Sequence, residues 1–119
     1  MELKQKSAGR MELTKADEIL RKRMSEIDTV ARWANELGFN SEKVFSRKYR
    51  NEYGKRPKSV LIKMKLERAL FLLEHDPEMN CFEVARAIGK KDEKALNFFF
   101  RTHMGISPKK WVKIRSESC

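Results

Sequence analysis

Shifted by 51 positions, the chain lies on itself. Gly38 falls on Gly89, Gly54 on Gly105, Pro57 on Pro108 and Lys58 on Lys109. The apolar pattern keeps the same register: Val30 with Cys81, Ala34 with Ala85, Leu37 with Ile88, Phe45 with Leu96 and Tyr49 with Phe100. Turn formers and core positions shared in one register mean two copies of one supersecondary unit of about fifty residues. A 119-residue chain of this kind is one domain in size, or two very small subdomains sharing a connecting element, and buries only a modest core.

Each copy opens with a short helix ending in glycine, TVARWANELG in the first and NCFEVARAIG in the second. Gly38 and Gly89 suit the left-handed conformation that stops a helix. Asn80 with Glu83 has the spacing of a capping box. After a turn of about three residues comes a second amphipathic helix, roughly Ser41 to Tyr53 and Asp92 to His103. Its apolar positions, Val44, Phe45 and Tyr49, or Ala95, Leu96, Phe99 and Phe100, recur at three- and four-residue spacing. Helix, glycine turn, helix is the helix-turn-helix pattern. Pro57 opens a long helix to about His75, with Ile62, Leu66, Ala69, Leu70 and Leu73 as its core stripe. Ser107 and Pro108 start a last short helix carrying Trp111 and Ile114. Ahead of the repeats, Thr14 and Asp17 are expected to cap a first helix through Ile19, Leu20, Met24 and Ile27. Met1 to Arg10 shows no periodicity and is expected to be disordered. The predicted fold is all-α, with about seven helices. A leader (1–13) precedes a first helix-turn-helix subdomain (14–56), a connecting helix (57–75) and a second subdomain (76–119).

Charge narrows the partner. Lys and Arg total 27 against 17 Asp and Glu, a net charge of +10, with 15 basic and 9 acidic residues up to Val60 and 12 and 8 after it. Both halves are basic, which points to a polyanion. No apolar run of roughly 18 residues and no secretory leader pattern occurs, so the expected compartment is the cytoplasm, with no membrane partner. Cys81 and Cys119 lie far apart, without a CxxC pair or nearby histidines, so no metal is expected. Cys81 reads as a small core residue and Cys119 as a terminal thiol. The sequence has no Gly-rich phosphate loop and no nucleophile beside a general base, so neither catalysis nor a cofactor is expected. His75 and His103 stand alone near helix ends, and Trp33 and Trp111 read as core.

The first copy, GFNSEKVFSRKYRNEYG followed by Pro57 and KLERALFLL, and the second copy's ending GISPKKW resemble the DNA-binding domain of the AraC/XylS family of bacterial transcription regulators. The match runs from about Ile27 to Val112. The resemblance implies a transcription regulator that binds double-stranded DNA through a rigid pair of helix-turn-helix subdomains, each offering its second helix to a major groove. A connecting helix of about 18 residues is roughly 27 Å long, comparable to the roughly 34 Å between successive major grooves on one face of a duplex. A monomer is therefore expected to suffice. The length leaves no room for a separate sensor domain. Control by abundance, as in stand-alone members of the family, is one expectation, and a fragment of a longer regulator is the other. Two departures stand out in the second copy: Lys90 where the family usually has Phe, and Phe98 where it often has Arg.

In the first recognition helix the face opposite the apolar stripe carries Glu42, Lys43, Ser46 and Arg47 as base-contacting candidates. The planar fork of Arg47 suits guanine, and Glu42 suits a cytosine amine. The corresponding residues of the second copy are Glu93, Lys94, Asn97 and Phe98. Asn97 suits adenine, and Phe98 suits a thymine methyl. Backbone contacts are expected from Ser41, Arg50, Lys58, Lys65, Lys90, Lys91, Arg101, Lys109 and Lys110, together with amides at the helix starts near Ser41, Pro57 and Pro108. The competing reading is a protein-interaction module for RNA polymerase or another regulator, with weak or nonspecific DNA binding. Lys90 and Phe98 favour it.

Overall fold

The computed structural model describes residues 13–118 apart from residue 77; the expected leader, Met1 to Arg10, and Cys119 lie outside the described residues. Seven α-helices and no strand occur among the described residues. They fall into two compact units, one up to Met64 and one from Lys65.

In the first unit, α1 (Ala16–Lys22) is followed by α2 (Val30–Glu36) and α3 (Glu42–Tyr53). The Thr29 hydroxyl accepts from the Arg32 N–H at 3.1 Å and starts α2. Its end needs a left-handed residue, and Gly38 supplies it with φ of 86°. The Gly38 N–H then donates to the Asn35 carbonyl and the Phe39 N–H to the Ala34 carbonyl. This bonding pattern satisfies carbonyls that a helix end leaves orphaned. Ser41 caps α3 by accepting from the Val44 N–H at 3.3 Å, and Gly54 closes it.

The core of this unit is aromatic. Trp33 is fully buried and stands edge-on to Phe45 with centroids 5.3 Å apart. The Trp33 indole donates to the Ala16 carbonyl at 2.9 Å, tying α2 to the first residue of α1. Two phenols of α3 continue the seam: Tyr49 donates to Asp17 Oδ1 at 2.7 Å and Tyr53 to the Leu13 carbonyl at 3.1 Å. Here the sequence reading of α1 is corrected. The helix starts with Lys15 in the capping position and no side-chain cap, while the Asp17 carboxylate is engaged by Tyr49. α1 also stops at Lys22, so Met24 and Ile27 are buried from the turn that follows it.

The long helix α4 (Pro57–His75) runs through the division between the units. Leu61, Lys65 and Ala69, spaced by four residues, are among its most buried positions, and Ile62, Leu66, Leu70 and Leu73 flank them half-buried. Of the expected stripe, Ala69 lies on this buried line and the other four residues form one flank of it, and the line contains a lysine. Lys65 is 1% exposed and its Nζ donates to the carbonyl of Ile88. That overturns its assignment to the DNA backbone, because its ammonium is inside the protein.

The second unit holds α5 (Cys81–Ala87), α6 (Glu93–Met104) and α7 (Pro108–Ser118). The capping box forms: the Glu83 N–H donates to Asn80 Oδ1 and the Asn80 N–H to Glu83 Oε1. α5 ends as α2 does, through Gly89 at φ of 85° and bonds from the Gly89 and Lys90 amides to Arg86 and Ala85. Asp92 caps α6, and the Ser107 hydroxyl accepts from the Lys110 N–H to cap α7. Val84, Ile88, Leu96 and Phe100 form the buried centre. Trp111 is half-buried and lies edge-on to Phe100 at 6.4 Å. Cys81 is half-buried at the start of α5 rather than in the core, and burial pushes its thiol pKa up.

The Lys90 departure has a packing counterpart. In the first copy Phe39 stacks near Phe45 at 5.2 Å and Lys48 is exposed. In the second copy the aromatic sits at the position of Lys48, as Phe99, and the cation at the position of Phe39, as Lys90, with its Nζ 4.6 Å from the centre of the Phe99 ring. Ring and cation have exchanged places between turn and helix. A cation over an aromatic face is attractive.

Candidate nucleic-acid interface

Burial of Phe45 and Tyr49 turns the opposite side of α3 outward. Glu42, Lys43, Ser46, Arg47 and Arg50 on that side, with Lys58 at the start of α4, line one open groove of about 760 Å³. Its remaining walls are Val30, Asn51, Arg56 and Pro57. Five cations, Lys43, Arg47, Arg50, Arg56 and Lys58, face one carboxylate, Glu42. No carboxylate among the described residues pairs with Arg47, Arg50 or Lys43. Their donors are directed to solvent, which is what recognition of a phosphate or a base edge requires.

All four base-contacting candidates of the first copy are thus brought together, along with two of its backbone candidates. Asn51 and Arg56 were not singled out in the sequence. Asn51 lies one turn after Arg47, and that spacing marks it as a neighbour on the same face. Arg56 precedes Pro57 outside the helical pattern, and only the fold shows that it borders the groove. Ser41 uses its hydroxyl as an acceptor for the cap of α3. Glu42 and Glu93 are the first residues of their helices, where a negative charge also favours the helix dipole.

On α6, Phe99 and Phe100 are buried and Phe98 is 75% exposed, so the three consecutive aromatics divide between core and surface. Glu93, Lys94 and Arg101 are exposed and Asn97 is half-buried. Phe98 occupies the place of Arg47 and Thr102 that of Asn51, and the Thr102 hydroxyl donates to the Phe98 carbonyl at 2.7 Å. Lys91, Lys109 and Lys110 are exposed, and Lys90 is half-buried over Phe99. Among the described residues no cluster of metal-ligating side chains occurs, and no helix is long and apolar enough to cross a membrane.

A family model described as a helix-turn-helix domain matches residues 41–114, and AraC-type DNA-binding domains are among the solved structures similar to the chain. The chain belongs to the AraC-type helix-turn-helix family. This AraC-type chain is similar to the DNA-binding domain of AdpA, a global transcriptional factor solved in complex with a target DNA. The identity is 26%, the TM-score 0.71, and the match covers 86% of this chain and 90% of that one. A DNA-binding transcriptional dual regulator from Escherichia coli K-12 shares the fold at 22% identity and a TM-score of 0.70, covering 89% and 93% of the two chains. So does an AraC-type transcriptional regulator from Chromobacterium violaceum, at 20% identity and a TM-score of 0.65, covering 87% and 91%. No curated protein sequence matches the AraC-type chain.

Proposed function

We propose that this chain is a transcription regulator that binds double-stranded DNA sequence-specifically, with α3 and α6 each entering a major groove. The carrying observation is the groove along α3, where the Arg47 guanidinium, paired with no carboxylate among the described residues, lies between Ser46 and Arg50 at the surface of a domain of AraC type. A planar two-pronged donor of this kind matches the O6 and N7 acceptors of guanine. Lys43, Ser46 and Glu42 read neighbouring base edges, and Asn97, Lys94 and Glu93 do so on α6. Arg50, Arg56, Lys58, Lys91, Arg101, Lys109 and Lys110 neutralise phosphates, while Lys90 is held over Phe99. Those contacts fix register and affinity rather than sequence.

The binding unit is a monomer in the cytoplasm, because one chain already carries two recognition helices. Phe82, 48% exposed at the start of α5 and outside both recognition helices, supports a protein contact such as RNA polymerase. The test is selection of bound duplexes from a random library of about 30 base pairs at near-physiological salt, where purely electrostatic binding is weak. Enrichment of a defined motif is expected. A pool that stays random after repeated rounds would leave only nonspecific binding and overturn the proposal.

A further inference from the structure

Positions 47 and 51 of the first copy correspond to 98 and 102 of the second, and in each copy the two lie one helical turn apart on the outward face. In the first copy both are hydrogen-bonding side chains, Arg47 and Asn51, and both line the groove. In the second copy neither offers a free hydrogen-bond donor. Phe98 has none and is 75% exposed, and the Thr102 hydroxyl is committed to the Phe98 carbonyl. Lys94 and Arg101, four residues before and three after Phe98, are exposed on the same side. An apolar patch bordered by cations is suited to a polyanion that carries apolar groups of its own.

The major groove of DNA supplies one such group, the C5-methyl of thymine. We infer that α6 reads pyrimidine 5-methyl groups through Phe98, so that the box beneath it is specified by thymine, and 5-methylcytosine is preferred there over cytosine. Asn97, next to Phe98, strengthens the choice, because its amide can bond the N6 and N7 edge of adenine, the partner of thymine. The inference rests on α6 being a recognition helix. It adds that the two boxes are read by different chemistry, hydrogen bonding alone under α3 and hydrogen bonding joined by an apolar contact under α6.

The test replaces each thymine of the selected duplex by uracil, one position at a time. This keeps every pairing and hydrogen-bonding edge and removes only the methyl. Binding of the full chain is followed by fluorescence anisotropy. Loss of one buried methyl contact is expected to weaken binding about fourfold at one or two positions of the α6 box, with no change in the α3 box. In Phe98→Ala, whose side chain is too exposed for the change to threaten the fold, those positions are expected to lose their sensitivity. Equal affinity for thymine and uracil duplexes in the wild type, or undiminished sensitivity in Phe98→Ala, overturns the inference while leaving DNA binding intact. So does a Phe98→Ala chain that binds DNA normally but no longer retains RNA polymerase, which would assign the patch to a protein. If selection recovers no motif at all, the proposed function falls, and this inference with it. That outcome differs because the Arg47 box is then absent too.

Discussion

Arg47 carries the strongest claim about a single side chain, since it stands in the groove unpaired with any described carboxylate. Arg47→Ala is expected to weaken binding to the selected site by about 1–3 kcal/mol and to relax preference at one base pair. An anisotropy titration against all four variants of that pair measures both. A loss that is the same for every sequence would reassign Arg47 to phosphate. Tyr49 makes the complementary claim about stability. Its hydroxyl donates to Asp17, and burial, then the hydrogen bond to that carboxylate, push its pKa well above the ordinary value of 10.0. A pKa raised in the folded state contributes stability that is complete below about pH 10 and is lost as pH rises beyond it. Tyr49→Phe is expected to cost about 1 kcal/mol at neutral pH. Above pH 10 the wild type should lose stability more steeply than the variant, in which only Tyr53 keeps a raised phenol pKa, as denaturant melts across that range would show.

The helix-turn-helix elements were legible in the sequence because their ends are written in residues with a physical reason to be there. Asn80 with Glu83, Gly38, Gly89 and Pro57 all mark the boundaries expected of them. Gly38→Ala meets no atom within 4 Å, so its cost is that of the left-handed backbone alone, about 1–2 kcal/mol. α1 was less legible, because its start is fixed by distant partners, Trp33 on Ala16 and Tyr49 on Asp17, rather than by a local cap. Lys65 was misread for a related reason. A lysine in a basic chain suggests a phosphate contact, and its true role appears only once Leu61 and Ala69 place it on the buried line of α4. Its bond to the Ile88 carbonyl serves the capping residue at the end of α5, immediately before the turn that leads to α6. Lys65→Ala is expected to destabilise the second unit by about 1–3 kcal/mol. Hydrogen exchange should report faster opening of α5 and α6 and unchanged protection in α2 and α3.

Taken over the full chain, a net charge of +10 and exposed cations in both copies make affinity dependent on salt. Each phosphate contact contributes about 0.9 to the slope of log K against log salt. Lys58→Ala should therefore lower that slope by about 0.9 and leave the preferred sequence unchanged, whereas Arg47→Ala should alter the sequence and leave the slope nearly unchanged. The candidate site was legible where charge and helical period coincide, along α3. On α6 the outward place of Phe98 was legible for the same reason, because one helix cannot bury three consecutive aromatics, whereas the Thr102 bond and the Lys90 and Phe99 pair depend on packing that the sequence does not display. The central claim is that one chain reads two boxes, one through each recognition helix. The most direct measurement is parallel selection from a random duplex library with the wild type, Arg47→Ala and Asn97→Ala. The account predicts a two-box motif for the wild type, with each variant losing specificity in a different box. A single box in the wild type, or the same box degraded by both variants, would contradict it.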